Sequence, residues 1–117
     1  MEFVSKKIDL EIKITTISGD EKTMKVPHPL SAKEAGLYMD AIVKGEKEWQ
    51  ESHADKDSEG KTVGLNYVFA EAVELMDEHL SSIYGTEKGF WMDNVDTDTI
   101  IAIKKYVVGE LSNTKKN

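Results

Sequence analysis

Apolar and polar residues first alternate along this chain and then recur at helical spacing, and the changes of period outline its elements. Ile8, Leu10, Ile12 and Ile14 alternate with Lys7, Asp9, Glu11 and Lys13, the period of two of a half-buried strand. Ser18-Gly19-Asp20 supplies a turn, and Met24 and Val26 share one face of a returning strand. The pattern predicts a β-hairpin over residues 8–26. Pro27 and Pro29 end it, because proline cannot donate to a ladder. Ser31-Ala32-Lys33-Glu34 has the form of a capping box, in which serine and glutamate satisfy the first free amides of a helix. That helix is expected over residues 31–44, with Ala35, Tyr38, Ala41 and Ile42 on one stripe and Gly45 at its C′ position. Gly36 within it costs about 1 kcal/mol relative to alanine and is expected to allow close approach to the hairpin.

Residues 46–61 are almost wholly polar, with Trp49 as the large apolar exception, and read as a polar loop open to proteolysis. Beyond them Leu65, Val68, Phe69, Ala72, Val73, Met76, Leu80 and Ile83 recur at steps of three and four. They predict a helix over residues 62–84, stopped by Gly85. Glu71, Glu74, Asp77 and Glu78 fall opposite this stripe and read as an exposed acidic ridge, with His79 on the outer part of the helix. A last helix is expected over residues 97–111, capped by Asp96 or Thr97. Its face is Ile100, Ile103, Val107 and Leu111, widened by Ile101 and Val108. Residues 112–117 form a polar tail. The expected fold is a single α+β domain, an N-terminal β-hairpin packed on about three α-helices.

Composition narrows the function. With 117 residues, 39% hydrophobic and 32% charged, the chain has the makings of one folded domain. No apolar run approaches the ~20 residues that span a bilayer, and Met1 to Lys7 lack an apolar signal core, so the expected location is cytoplasmic. There is no cysteine, which removes disulfides, thiolate nucleophiles and sulfur-ligated zinc together. The net charge of −7 is concentrated: residues 34–99 hold sixteen acids against five lysines. All fifteen basic residues are lysines. Without arginine, the usual reader of phosphate and guanine edges, an acidic chain is not expected to bind nucleic acid.

Several stretches imitate reactive motifs. Asp55-Lys56-Asp57-Ser58-Glu59-Gly60 resembles the opening of an EF-hand loop, but Asn66 stands where a bidentate carboxylate must close the site. Gly60-Lys61-Thr62 has the ending of a phosphate-binding loop, with Asp55 where that loop needs glycine. His28, His53 and His79 lie far apart with no partner at ligand spacing, and no base stands near Ser81 or Ser82. No catalytic, cofactor-binding or metal-binding residue is expected.

Gly89-Phe90-Trp91-Met92 is different, because it concentrates apolar surface between two helices. It suits a plug sealing the corner between them, or an anchor for a partner, since tryptophan and methionine are enriched at interfaces. Phe90, Trp91 and Met92, with Ile101 and Val108 on the wide face of the last helix, are the expected partner-binding residues. Self-association and client binding are both open to that face.

Two family patterns resemble parts of this chain. Hairpin, short link and capped helix, from Ile8 to Lys44, is similar to the start of ubiquitin-like β-grasp domains, but helices follow here where a β-grasp needs more strands. The overall layout resembles the tail assembly chaperones of long-tailed phages of Gram-positive hosts. In that family a short hairpin precedes a helical body. The body has a helix ending in an aliphatic–aromatic–glycine turn, an aromatic link with acids, and a final helix. The corresponding residues are Val73 to Met76 through Ile83-Tyr84-Gly85, then Phe90-Trp91-Met92-Asp93-Asn94-Val95-Asp96, then Ile100 to Leu111. The resemblance implies a small protein, without an active site, that coats the aggregation-prone helical tape measure protein in the host cytoplasm. It also implies a frameshifted longer form, for which Lys115-Lys116 offers a place. A reading from a different class is a small acidic adaptor that binds a host or phage protein.

Trp91→Ala distinguishes plug from anchor. A large drop in melting temperature marks the plug; a lost partner with an unchanged melting temperature marks the anchor.

Overall fold

The first hairpin forms within the expected residues 8–26 but its ladder is shorter, because Leu10 leaves the extended backbone. In the computed structural model, which describes residues 1–112, β1 (Ile12–Thr15) pairs antiparallel with β2 (Glu21–Met24), Ile12 opposite Met24 and Thr15 opposite Glu21. Gly19 turns the chain at φ 93°, a left-handed conformation open to glycine. Pairing resumes beyond the ladder, where the Val26 amide meets the Asp9 carbonyl (3.1 Å) and the Leu30 amide meets Ile8 (2.8 Å). Between them Leu10 adopts φ 55°, which costs a leucine of order 1–2 kcal/mol. Two gains offset that cost. Its side chain is 1% exposed, and its carbonyl accepts a 2.7 Å hydrogen bond from the Tyr84 hydroxyl.

The capping box forms as expected: Ser31 accepts from the Glu34 amide and Glu34 accepts from the Ser31 amide. The helix it starts, α1 (Ala32–Ser52), does not stop near Lys44. Gly45 is not a C′ residue but a close-approach glycine inside the helix, because a Cβ there would sit 2.8 Å from His79 Nε2 on the neighbouring helix. Gly36, expected to have that role, is exposed, with nothing near where its Cβ would be.

Residues 46–61 are therefore not a loop. They hold the last two turns of α1 and the start of a second antiparallel hairpin, β3 (Ala54–Lys56) with β4 (Thr62–Leu65). Its tip is the EF-hand-like stretch. Gly60 takes φ 80°, and one Asp57 carboxylate oxygen accepts from the Glu59 and Lys61 amides, both at 2.9 Å. The helix expected from Thr62 begins at Phe69 instead, as α2 (Phe69–Tyr84). Leu65, Val68 and Phe69 are exposed, not part of the core stripe. β-Branched Thr62 and Val63 followed by Gly64 favour extended over helical backbone there.

Gly85 ends α2 in the left-handed conformation (φ 70°), its amide on the Ser81 carbonyl. A short helix not foreseen, α3 (Phe90–Asn94), precedes α4 (Thr97–Ser112), whose start is capped by the Asp96 carboxylate on the Thr99 amide. Of the polar tail, Ser112 is the last helical residue, and the remainder with Lys115-Lys116 lies outside the described residues. The α+β class holds, with four helices and a second hairpin among the described residues. α1 packs on α2 and α4, and α2 on α3 and α4. Leu10, Ile14 and Val26 close the core from the first hairpin, over Ile42, Leu80, Trp91, Ile100 and Val107. The radius of gyration is 16.6 Å, against about 13 Å for a compact chain of this length. No helix among the described residues is long and apolar enough to cross a membrane.

Asp77 corrects the expectation of an exposed acidic ridge. It is fully buried, and its carboxylate accepts from the amides of Gly89 (2.7 Å), Trp91 (2.8 Å) and Met92 (3.2 Å). It thus satisfies the free first amides of α3 from a different helix. Asp77→Ala leaves these donors without an acceptor, each worth about 1–3 kcal/mol when buried. The expected loss is about 3–5 kcal/mol, at the severe end for one substitution, measured as a shift in the urea midpoint.

Candidate docking site

Of the five residues expected to meet a partner, Trp91 is removed from reach. It is 0% exposed; its Nε1 donates to Thr86 Oγ1 at 3.0 Å and its ring lies 5.7 Å from that of Tyr84. This is the plug, and packing inside a fully enclosed corner is why the ring is unavailable. Phe90 and Met92 are half-buried beside it, Phe90 edge-on to Trp91 with Lys22 Nζ 5.9 Å from its ring centre.

Ile101 and Val108, seven residues apart on α4, do converge on one feature. With Tyr67, Met76 and Gly109 they line an open groove of about 620 Å³. Tyr67 and Met76 also line a smaller adjoining hollow of about 170 Å³, walled by Trp49, Leu65 and Leu75. The Glu46–Lys104 ion pair (2.8 Å) borders both. The two form one trough, floored by α2 and α4 and flanked by the end of α1 and the second hairpin.

The trough continues into an apolar strip that the sequence reading assigned elsewhere. Val63, Leu65, Tyr67 and Phe69 are all exposed, from 44% at Leu65 to 76% at Phe69. Their period of two is a strand signal, hidden because Leu65 and Phe69 also fit the helical series that follows. Tyr67 sits edge-on between Trp49 (5.2 Å) and Phe69 (4.8 Å), so the strip and the trough share one aromatic row. Isolated apolar side chains on a surface need no explanation, but a contiguous row of this kind is a candidate contact surface.

The polar side chains singled out in the sequence lie outside the trough lining. His79 is half-buried against Gly45, not on the outer part of its helix. Burial, helped by Lys104, pushes its imidazole below the ordinary value, and its Nδ1 is buried with no hydrogen-bond partner among the described residues. Ser81 is buried and donates to the Glu87 carbonyl while accepting from Thr86 Oγ1, which commits its hydroxyl to the α2–α3 turn. His28 stands 3.5 Å from Glu34 at the opposite end of α1 from His53. Among the described residues no group of three His, Asp or Glu side chains is placed to hold a metal ion.

The lowered imidazole of His79 carries a sign. Stability from this site is complete above the ordinary imidazole pKa of 6.5 and is lost as pH falls through the lower folded value. In urea titrations across that interval the wild type is expected to lose stability relative to His79→Leu, and the difference to stay constant at higher pH. A constant difference throughout refutes the assignment.

Compared with protein-family models, curated proteins and solved structures, the chain matches none of them.

Proposed function

We propose that this chain is a non-enzymatic tail assembly chaperone of a long-tailed phage, acting in the host cytoplasm, that holds an apolar helical client such as the tape measure protein. The observation that carries this reading is the trough of Tyr67, Met76, Ile101 and Val108 running into the exposed strip from Val63 to Phe69. A client helix with an apolar face has a complementary stripe to lay there. Magnitudes favour a holding contact over a permanent one. Covering three such half-exposed side chains contributes at most about 4–9 kcal/mol, against an association cost of about 4–15 kcal/mol. A useful complex must therefore engage both trough and strip, and it remains releasable when the client is handed on. The acidic stretch 34–99 keeps the loaded complex soluble through like-charge repulsion.

Co-expression with the long helical protein of the same phage tail is expected to yield a soluble complex, with the client insoluble alone. Ile101→Asp combined with Tyr67→Ser is expected to abolish co-purification while moving stability by about 1–3 kcal/mol, because both side chains are partly exposed and Tyr67 gives up two edge contacts. Unchanged co-purification of that double variant refutes the site.

A further inference from the structure

The second hairpin has few attachments to the body, and apart from the edge of Tyr67 on Trp49 they meet at His53. β3 and β4 are two short strands, a unit that is marginal in water on its own, and residues 55–70 are exposed throughout. At the base of the hairpin the Asn66 amide donates to the His53 carbonyl at 2.7 Å. The His53 ring stacks on Trp49, with centroids 4.1 Å apart and planes 16° from parallel. Its Nε2 reaches the Glu71 carboxylate on α2.

Both ring nitrogens face acceptors. Nδ1 lies 2.8 Å from the Trp49 carbonyl oxygen, which has no proton to give. It also lies 2.8 Å from Ser52 Oγ, which is 2.8 Å from that same carbonyl. Nε2 faces a carboxylate. A neutral imidazole can donate from one nitrogen only, so donating to both the Trp49 carbonyl and the Glu71 carboxylate requires the doubly protonated ring. Two further features favour the cation: it stands at the C-terminal, negative end of α1 and over the face of an indole.

We propose that His53 is a protonation-controlled latch: its imidazolium bridges the end of α1 to Glu71 of α2 and holds the β3–β4 hairpin beside the trough, and loss of that proton releases the hairpin base. Glu71 is the charged group that acts on the ring. From α1 the ring meets the Trp49 carbonyl and Ser52 hydroxyl, and from the β4–α2 link the uncharged Asn66 holds its carbonyl. The Glu71 hydrogen bond first, and the Trp49 carbonyl second, raise the imidazole above its ordinary value. The latch therefore contributes fully below the ordinary pKa and is lost as pH rises through the raised one, the reverse of His79. Release frees Leu65 and Tyr67, which wall the trough beside Trp49, so the width of the docking site changes with pH. The latch stands whatever occupies the trough.

NMR titration of the full chain tests it. The His53 Cε1–Hε1 resonance is expected to titrate with a midpoint above that of an ordinary imidazole, and the amide shifts of Ala54 to Tyr67 to follow the same midpoint. In Glu71→Gln, where the charge is gone and the site is exposed enough to leave the fold intact, the midpoint is expected to fall and the hairpin amides to report the released form across the range. A His53 midpoint at or below the ordinary value, or hairpin amides that ignore it, overturns the proposal. No client enters the measurement, so its failure is distinct from a failed co-purification.

Discussion

The buried carboxylate of Asp77 determines how the helical body closes. An unpaired charge at that depth would be costly, and three amides from the Gly89–Met92 turn stabilise it. With that turn held, α3 starts where Trp91 enters the core. Trp91 packs beside Tyr84, and the Tyr84 hydroxyl holds the Leu10 carbonyl across 74 positions of sequence. The strained Leu10 is thereby fixed and β1 with it. A second tie, the Ile17 amide on the Asn94 carbonyl (2.9 Å), joins the hairpin turn to the end of α3. First hairpin, α2 and α3 thus depend on one network that begins at a single acid.

Nothing comparable anchors the second hairpin. Its attachments are a stacked ring, an ion pair, one backbone bond and the edge of Tyr67 on Trp49, and Trp49 Nε1 beside them is buried with no hydrogen-bond partner among the described residues. The molecule is built in two grades: a core over-determined by packing and hydrogen bonds, and an attached flap that carries the exposed apolar strip. Docking surfaces belong on the weaker grade, since binding must compete with whatever covers the surface in the free protein. Two histidines of opposite sign sit at its margins, His79 inside the α1–α2 contact and His53 at the hairpin base. Acid is expected to weaken the first while holding the second.

Much of the fold was readable from period and caps. The Ser31–Glu34 box, the Gly85 stop and the Asp96 cap are local, and each forms where its residues stand; of the alternation from Ile8 to Ile14, the part from Ile12 forms the strand. The stretch from Gly45 to Phe69 was not. Gly45 carries the usual mark of a helix end, and only the neighbouring His79 explains why the helix runs through it. Val63 to Phe69 fits a strand by alternation and a helix by its overlap with Ala72 and Met76, so periodicity alone does not separate the two. Of the site, Ile101 and Val108 could be found as apolar positions beyond the main stripe of α4. Their partners Tyr67 and Met76 could not, because they arrive from another element.

Sequence by itself determined the class of the fold, the first hairpin, the capped helix starts and the absence of arginine and cysteine, because these follow from neighbours a few residues apart. Tertiary structure decided which polar residues are buried. Asp77 and Glu74 occupy similar places on a helical projection, yet one is sealed beneath the Gly89–Met92 turn and the other is exposed. It also decided that Trp91 is a plug and that the apolar surface lies on Tyr67, Phe69 and Ile101. The physical reason is that burial depends on what the other elements cover, and no local pattern encodes the far side of a contact.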